Sequence, residues 1–415
     1  MNVTIMPAKL KGVVTPPPSK SQAHRLIIAA ALAEGESVLT NVAFSQDIEA
    51  TLNCMEVLGA KSRRTDGTLT LAGLGSRRTA VSACMCDALH FECGESGSTL
   101  RFLIPIVLAA AGGGFFTGRG RLLARPQQPY ADLFAEKGIF FRHSPSAISL
   151  RGTLEPGLYR LPGNVSSQFV TGLLYALPLL KGDSVVELTT PLESRGYVDM
   201  TLQALEQFGV CVETDGPRRY RIPGGQRYRA GRAEVEADWS QAGFYYAAMG
   251  LGCELELEGL SAYSAQGDMA IVPAWMKLRG LGTVELDVSD IPDLVPALAL
   301  QAALRAGQTT RLVNAARLRI KESDRLDTVT TELNKLGARV EQGADFLSIR
   351  GVDRLTGGTV DSHNDHRIAM MLAMAATRAD GPVTLLDAGA VAKSYPNFWA
   401  EYQRLGGRIV QGDQL

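Results

Sequence analysis

The chain has 415 residues, nearly three times the roughly 150 of an ordinary domain, so a single small module is excluded and two or three domains, or a repeat array, are expected. With 46% hydrophobic and 20% charged residues, the composition is that of a globular protein. The 42 basic and 43 acidic residues give a formal net charge of -1, which leaves no basic excess for coating nucleic acid.

We expect no membrane or export segment. Its first residues, MNVTIMPAKLKG, lack the apolar core of a signal peptide. The longest apolar stretch, Ile104 to Phe116, falls short of the about 20 residues that a spanning helix needs. We therefore expect a cytoplasmic protein with neither a membrane nor a nucleic acid as partner.

The six cysteines are spread irregularly and match neither a small disulfide framework nor a paired zinc motif. Cys84, Cys86 and Cys93 form the only cluster, which favours free thiols over a metal site. His363 and His366 stand three residues apart, but no further histidine or cysteine lies near them in sequence. We predict no metal site.

In chain order, an apolar helix, a strand and an amphipathic helix that ends in glycine recur six times. The closing residues are Gly59, Gly138, Gly209, Gly280, Gly337 and Gly406. Each suits the left-handed cap of a helix C-terminus. This recurrence predicts six copies of one βα unit, and the alternative is an ordinary doubly wound α/β sheet, which would not require it.

The first helix of each unit is the more apolar one, as in RLIIAAALA and RIAMMLAMAA, and such helices are buried. Their starts are polar: SKSQAHR, GESGST, NVSSQ, DWSQAG, SDIPD and HNDHR. Helix N-termini offer unpaired N-H groups and the positive end of the helix dipole. Six such starts aimed at one cleft would bind a highly anionic ligand.

Basic residues accompany these starts and the loops between them. They are Lys20, Arg25, Arg101, Arg125, Arg195, Lys321, Arg325, Arg367 and Lys393. A mixture of Arg and Lys suits ligands that carry both carboxylate and phosphate. For any one of them an exposed surface charge is the alternative, although the proline-restrained context PPPSKSQAHR sets Lys20 and Arg25 apart.

The acidic candidates have equally plain alternatives. Glu322 in RLRIKESDR could form a local ion pair with Arg325, and Asp293 in SDIPD could be a helix N-cap. The sequence contains no GxxxxGK[ST], HExxH or GxSxG motif, so nucleotide hydrolysis, zinc proteolysis and serine hydrolysis lack their usual devices.

Taken together in chain order, the motifs are more specific than any one of them. SKSQAHR, SGSTLR, ARP, SSQ, SRGY, IPD, KESDR, NDHR and AKSYP resemble the signature series of the 3-phosphoshikimate 1-carboxyvinyltransferase (5-enolpyruvylshikimate-3-phosphate synthase) family. The resemblance runs from about Pro16 to Pro396. It implies a two-domain inside-out α/β barrel of six βα repeat units, three per domain. The implied domains are residues 19–236, inserted, and residues 1–18 plus 237–415.

The resemblance also implies the site residues. Shikimate 3-phosphate would be bound by Lys20, Ser21, Arg25, Ser166, Ser167, Gln168, Ser194, Tyr197, Asp293, Arg317 and Lys321. Phosphoenolpyruvate would be bound by Lys20, Gly97, Arg125, Gln168, Arg325, Arg367 and Lys393. The implied catalytic groups are Asp293 for the hydroxyl proton and Glu322 for the carbon, with Lys20 assisting. The implied reaction transfers an enolpyruvyl group and releases phosphate, with no cofactor and no metal, in a monomer.

Two positions depart from the commoner family pattern: Glu95 in GESGSTLR, which bears on inhibitor sensitivity, and Arg317. Three alternatives stay open. The sister family that acts on UDP-N-acetylglucosamine usually has a loop cysteine as its acid, and GGGFFTGRGRLLARP contains none. A binding protein without activity would be indicated by loss of a key residue, yet Lys20, Asp293, Glu322 and Lys393 are present. An RNA-phosphate cyclase is disfavoured by the near-neutral charge.

Overall fold

A computed structural model describes residues 1–75 and 89–411 of the chain. They form two compact units. One unit, here called the continuous unit, is Lys20–Val235. The other, the discontinuous unit, combines Met1–Ser19 with the chain from Glu236 onward. Each has its own hydrophobic core.

Helices and strands alternate along the described residues. The α-helices are α1 (Lys20–Leu32), α2 (Gln46–Val57), α3 (Gly97–Ala111), α4 (Gln128–Glu136), α5 (Ser167–Ala176), α6 (Arg195–Gln207), α7 (Trp239–Gly250), α8 (Ile271–Leu278), α9 (Val295–Ala303), α10 (Arg325–Lys335), α11 (His366–Ala375) and α12 (Phe398–Arg404). The strands are β1 (Val3–Met6), β2 (Lys11–Val14), β3 (Glu36–Thr40), β4 (Lys61–Thr65), β5 (Thr68–Ala72), β6 (His90–Glu92), β7 (Gly113–Thr117), β8 (Phe140–His143), β9 (Ile148–Arg151), β10 (Leu158–Leu161), β11 (Ser184–Leu188), β12 (Glu213–Thr214), β13 (Arg219–Ile222), β14 (Arg232–Glu234), β15 (Glu254–Leu257), β16 (Val284–Asp287), β17 (Thr309–Val313), β18 (Arg339–Gln342), β19 (Leu347–Arg350), β20 (Gly358–Asp361), β21 (Val383–Leu386) and β22 (Arg408–Gln411).

One pairing scheme recurs in the sheets. The orders β14-β3-β5-β4, β6-β7-β9-β8, β10-β11-β13-β12, β16-β17-β19-β18 and β20-β21-β1-β22 each begin with a parallel pair and continue with two antiparallel pairs. In the last of these sheets, β1 from the start of the chain supplies the third strand. The remaining sheet, β15-β2, has two strands. The repeated βα unit is confirmed.

The apolar helices lie where the sequence predicts them. In each unit three of them pack against one another: α1, α3 and α5 in the continuous unit, and α7, α9 and α11 in the discontinuous unit. All residues of α9 and α11 are buried, as are 11 of the 13 residues of α1. A helix that is buried on most sides is largely apolar, which is the pattern the sequence shows.

The glycine caps are confirmed at five of the six positions, where φ lies between 68° and 107°. The prediction for Gly280 was wrong. Helix α8 ends at Leu278, and the left-handed residue is Gly282, with φ 86°. The hairpin that follows α2, α4, α6 and α10 is missing here, so the chain runs from α8 directly into β16. The buried Arg305 guanidinium donates to the carbonyls of Leu278, Gly280 and Gly282 and so fixes this connection.

Of the described cysteines, Cys54, Cys93 and Cys253 are buried, Cys211 is exposed, and none is in a disulfide. Cys84 and Cys86 of the predicted thiol cluster lie outside the described residues. Among residues 1–75 and 89–411, no three or more His, Cys, Asp or Glu side chains form a group that could hold a metal ion. Within the same ranges, no helix is both long and apolar enough to cross a membrane.

Candidate active site

In the continuous unit, the predicted site residues lie at the starts of its helices. Lys20 is the first residue of α1, and its Nζ lies 2.7 Å from Oδ2 of Asp47 at the start of α2. The two side chains are 15% and 11% exposed. An ion pair so little exposed is screened weakly by solvent, so the lysine is held in one place.

Arg25 lies one turn further along α1 and is buried. Its guanidinium donates to the carbonyls of Ser21 and Tyr197 and to the hydroxyl of Thr201, at 2.6 to 3.1 Å. Burial lowers the pKa of Arg25 to about 10. These bonds bring Ser21, Arg25 and Tyr197 together, and they join α1 to the start of α6.

Ser194 caps that start of α6. It adopts the left-handed conformation, with φ 58°, and its side chain is buried. Its carbonyl accepts a hydrogen bond from the backbone N-H of Tyr197. Arg195, the next residue, has a 62% exposed side chain that pairs with Asp199, which fits the surface-charge alternative.

A second group joins the starts of α3 and α5. A Cβ on Gly97 would stand 2.8 Å from Nη1 of Arg125 and 3.4 Å from Oε1 of Gln168, so a larger residue here would displace the end of the Arg125 side chain. Gln168 accepts from Arg101 at 2.9 Å and donates to Ser98 at 3.1 Å. The Ser166 hydroxyl caps α5 by accepting from the Gln168 N-H, and Ser167, the first residue of α5, is buried.

A chain of buried hydrogen bonds lies beneath these groups. His24 Nδ1 lies 2.7 Å from the Thr51 hydroxyl, which lies 2.6 Å from that of Thr99, and Thr99 donates to Ser96 at 2.7 Å. Burial, and then the nearby cations Lys20 and Arg25, hold the pKa of His24 well below its ordinary value. The chain therefore ties α1, α2 and α3 together through neutral groups.

In the discontinuous unit, Asp293 is the meeting point of three cations. Its Oδ1 accepts from Arg325 at 2.9 Å and from Lys321 at 3.3 Å, and its Oδ2 accepts from Arg367 at 2.9 Å. Asp293 lies in a short 3-10 turn just before α9. It is not the residue next to that helix, so its position fits a site residue better than the helix cap that the sequence left open.

Arg325 is 1% exposed and contacts three carboxylates. Besides Asp293, it donates to Glu322 at 2.7 Å and to both oxygens of Asp365 at 2.8 and 3.2 Å. Burial alone would lower the pKa of Arg325, but Asp365, Glu322 and Asp293 together raise it. Burial would raise the pKa of Asp365, yet Arg325 lowers it to about 2. Both groups are therefore ionised in spite of their burial.

The remaining predicted residues of this unit surround the same cluster. Burial lowers the pKa of Lys321, against the opposing effect of Asp293. Arg367 is buried and also donates to the Ser240 hydroxyl at 3.0 Å. Lys393, also buried, donates to the Asn364 carbonyl at 2.6 Å.

The two departures from the family pattern have distinct surroundings. The carboxylate of Glu95 lies against Gly120, where a Cβ would stand 2.6 Å from Oε2. Gly120 belongs to the loop that leads to Arg125. Arg317 donates to the backbone carbonyl of Ser289.

Sequence reasoning missed two carboxylates in these groups, Asp47 and Asp365. Asp365 stands in the NDHR motif, where it is the N-cap of α11 and accepts from the Arg367 N-H. Its position as cap was the available signal. For Asp47 the signal was an acidic residue in the first turn of α2, in SQDIE, where the helix dipole favours negative charge.

The sequence matches a known family over nearly the whole chain. The family model described as EPSP synthase (3-phosphoshikimate 1-carboxyvinyltransferase) matches residues 5–402. The chain belongs to the EPSP synthase family. The predicted resemblance and the predicted fold class are thereby confirmed.

Individual relatives support this family membership. The chain is 43% identical to 3-phosphoshikimate 1-carboxyvinyltransferase of Clostridium perfringens, over 99% of each sequence. It is also 43% identical to the protein of the same name from Clostridium acetobutylicum, over 98% of each. The solved structure of EPSP synthase from Acinetobacter baumannii shares 27% identity and a TM-score of 0.80, covering 99% of this chain and 100% of that one. The enolpyruvyl transferase NikO from Streptomyces tendae, at 19% identity and a TM-score of 0.78 over 99% of this chain and 98% of that one, shares the fold.

Proposed function

We propose that the chain transfers the enolpyruvyl group of phosphoenolpyruvate to the 5-hydroxyl of shikimate 3-phosphate and releases phosphate. This is the reaction of a 3-phosphoshikimate 1-carboxyvinyltransferase in the shikimate pathway, which leads to chorismate and the aromatic amino acids. The observation that carries the proposal is the 43% identity to enzymes of that name over nearly the full chain.

The proposed binding residues keep the division that the motifs imply. Shikimate 3-phosphate contacts Lys20, Ser21, Arg25, Ser166, Ser167, Gln168, Ser194, Tyr197, Asp293, Arg317 and Lys321. Phosphoenolpyruvate contacts Lys20, Gly97, Arg125, Gln168, Arg325, Arg367 and Lys393. Hydroxyl and backbone groups suit a polyol, whereas a small trianion needs several cations. The grouping of Gly97, Arg125 and Gln168 around one point supports this division.

In the proposed mechanism, a proton adds to the methylene carbon of phosphoenolpyruvate and the neighbouring carbon becomes cationic. The 5-hydroxyl oxygen bonds to that carbon while its proton leaves, which gives a tetrahedral intermediate. The bond between that carbon and the phosphate oxygen then breaks, and phosphate leaves with the electron pair of this bond. A methyl proton is lost to restore the double bond. One acid and one base therefore each act in both directions.

We assign the hydroxyl proton to Asp293 and the carbon proton to Glu322, with Lys20 assisting. Asp293 accepts hydrogen bonds from three cations, and the carboxylate is the form that takes up a proton. Glu322 accepts one bond from Arg325, through Oε2. Cations around the leaving phosphate would stabilise its developing charge, so the proposed chemistry calls for no cofactor or metal.

The domain organisation, location and assembly of the protein are also proposals. We propose that the two compact units are the two domains of three repeats, with boundaries near residues 18 and 236. We propose a cytoplasmic monomer, and size-exclusion chromatography with light scattering would test the assembly by giving a mass near 44.5 kDa.

The test of function is phosphate release from phosphoenolpyruvate by the purified protein in EDTA. We expect release with shikimate 3-phosphate as acceptor and none with UDP-N-acetylglucosamine. Release with the sugar nucleotide alone would transfer the protein to the sister activity. Release with neither acceptor would favour a binding protein on the same fold.

A further inference from the structure

A buried carboxylate of the discontinuous unit lies outside the proposed chemistry. Glu332, on α10, has a side chain that is 0% exposed. A buried carboxylate is costly unless it is paired and hydrogen-bonded. Glu332 has three such partners: the Lys335 ammonium at 2.8 Å, His363 Nε2 at 2.7 Å and the backbone N-H of Asp361 at 2.9 Å.

Two of these partners lie in one turn, residues 361–365, which connects β20 to α11. Within this turn, His363 and Asn364 are both left-handed, with φ 51° and 54°. Residues other than glycine populate that region sparsely, and two in succession persist only where the surroundings hold them. The Glu332 carboxylate bonds to the turn on both sides of Ser362.

The turn contacts two residues of the proposed phosphoenolpyruvate site, Lys393 and Arg367. The carbonyl of the left-handed Asn364 accepts from the Lys393 ammonium at 2.6 Å. Asp365 then caps α11 by accepting from the N-H of Arg367, and it pairs with Arg325. A change in the turn would therefore move both Lys393 and Arg367.

Helix α10 contacts the turn at two places. Arg325, its first residue, binds Asp365, and Glu332 binds the turn seven residues later. Residues seven apart lie on one face of a helix, so one face of α10 bonds to both ends of the turn. Arg325 is already a proposed site residue, whereas Glu332 contacts the site only through the turn.

We propose that Glu332, together with His363, is a positioning pair that holds the turn in its left-handed conformation and so places Lys393 and Arg367 for phosphoenolpyruvate. This inference rests on the proposed function. It assigns neither residue a contact with substrate.

Two variants test the pair. Glu332→Gln keeps the size of the side chain but removes the charge and one acceptor. His363→Asn keeps a residue that tolerates the left-handed region but shortens the side chain so that it no longer reaches Glu332. Glu341→Gln, an exposed position on β18, is the matched control.

The readout is phosphate release, with each substrate varied at saturation of the other, alongside thermal unfolding. In both variants we expect the KM for phosphoenolpyruvate to rise about tenfold and the KM for shikimate 3-phosphate to stay within about twofold, because only one subsite is displaced. An unchanged KM for phosphoenolpyruvate in folded His363→Asn would overturn the proposal, as would an equal rise in both KM values. Failure of the wild-type protein to release phosphate would instead count against the proposed function.

Discussion

The two groups of proposed substrate-binding residues neutralise their charges in different ways. In the discontinuous unit, three cations face three carboxylates: Lys321, Arg325 and Arg367 against Asp293, Glu322 and Asp365. In the continuous unit, Lys20 pairs with the carboxylate of Asp47. The buried Arg25 instead bonds to neutral carbonyls and a hydroxyl.

This difference suits the two groups of residues to different functions. A guanidinium bonded to neutral oxygens keeps its full charge for an anionic ligand. A set of carboxylates bonded to cations is held at fixed positions, which is what acid-base chemistry needs. The neutral partners of Arg25 therefore suit the binding of an anionic group, and the carboxylates of the discontinuous unit suit proton transfer.

The largest expected effect comes from breaking the set of carboxylates and cations at its centre. Asp293→Ala removes the proposed proton acceptor and the carboxylate that Arg325, Arg367 and Lys321 share. We expect kcat to fall by at least roughly a hundredfold while the protein stays folded. Steady-state phosphate release and circular dichroism measure the two quantities. Asp353→Ala, at an exposed position in the same unit, is the control, and near-normal turnover of Asp293→Ala would refute the assigned role.

Lys20→Met tests the other side of the comparison. It removes the cation at the start of α1 but keeps a chain of similar length. We expect a loss of activity of at least roughly a hundredfold, since a charge-stabilising group is lost. The fold should survive, because Asp47 lies in the first turn of α2, where the helix dipole favours a carboxylate. Lys61→Met, on the exposed strand β4, should behave like the wild type; a Lys20→Met enzyme that did the same would remove Lys20 from the mechanism.

The smallest effect concerns acid stability, where the two units should differ in pH window. Because burial holds the pKa of His24 below its ordinary value, the unfolded state binds more protons than the folded state below about pH 6.5. As the pH decreases below that value, the free energy of unfolding decreases by up to about 1.4 kcal/mol per pH unit. For Asp365, with its pKa near 2, stabilisation is present above about pH 4 and is lost only as the pH falls towards 2.

His24→Asn isolates the first window, because asparagine can bond to Thr51 but cannot gain a proton. We expect its urea midpoint to depend less on pH between 7 and 5 than that of the wild type. Far-UV circular dichroism should follow the transition, since the three tryptophans, at 239, 275 and 399, all lie in the discontinuous unit. An identical pH dependence in His24→Asn and wild type would contradict the account, and His90→Asn, with an exposed ring, serves as the control.

The helices of this fold could be predicted from sequence because their signals are local. An all-apolar run and a closing glycine lie within one helix length, and both recur in each repeat. The prediction that Gly280 caps a helix was wrong because this repeat lacks the hairpin. The connection between α8 and β16 is fixed instead by Arg305, 25 residues away from Gly280.

For the site, the motifs supplied the cations but not their partners. Lys20 meets Asp47 across 27 residues, and Arg325 meets Asp365 across 40. No periodicity of one helix or strand reports such pairs. The left-handed pair at His363 and Asn364 was equally hidden, because its cause is the buried Glu332 of another helix.

The position of β1 has a consequence for how the protein folds during its synthesis. Residues 3–6 pair with residues 383–385 on one side and 408–411 on the other. During synthesis, the continuous unit has all of its strands once residue 235 has emerged, and it can fold early. Strand β1, in contrast, lacks both of its neighbours until residues 383–411 have been synthesised, and its edges stay open to wrong partners meanwhile. Completion of this sheet only after β22 has been made follows from this one interior placement.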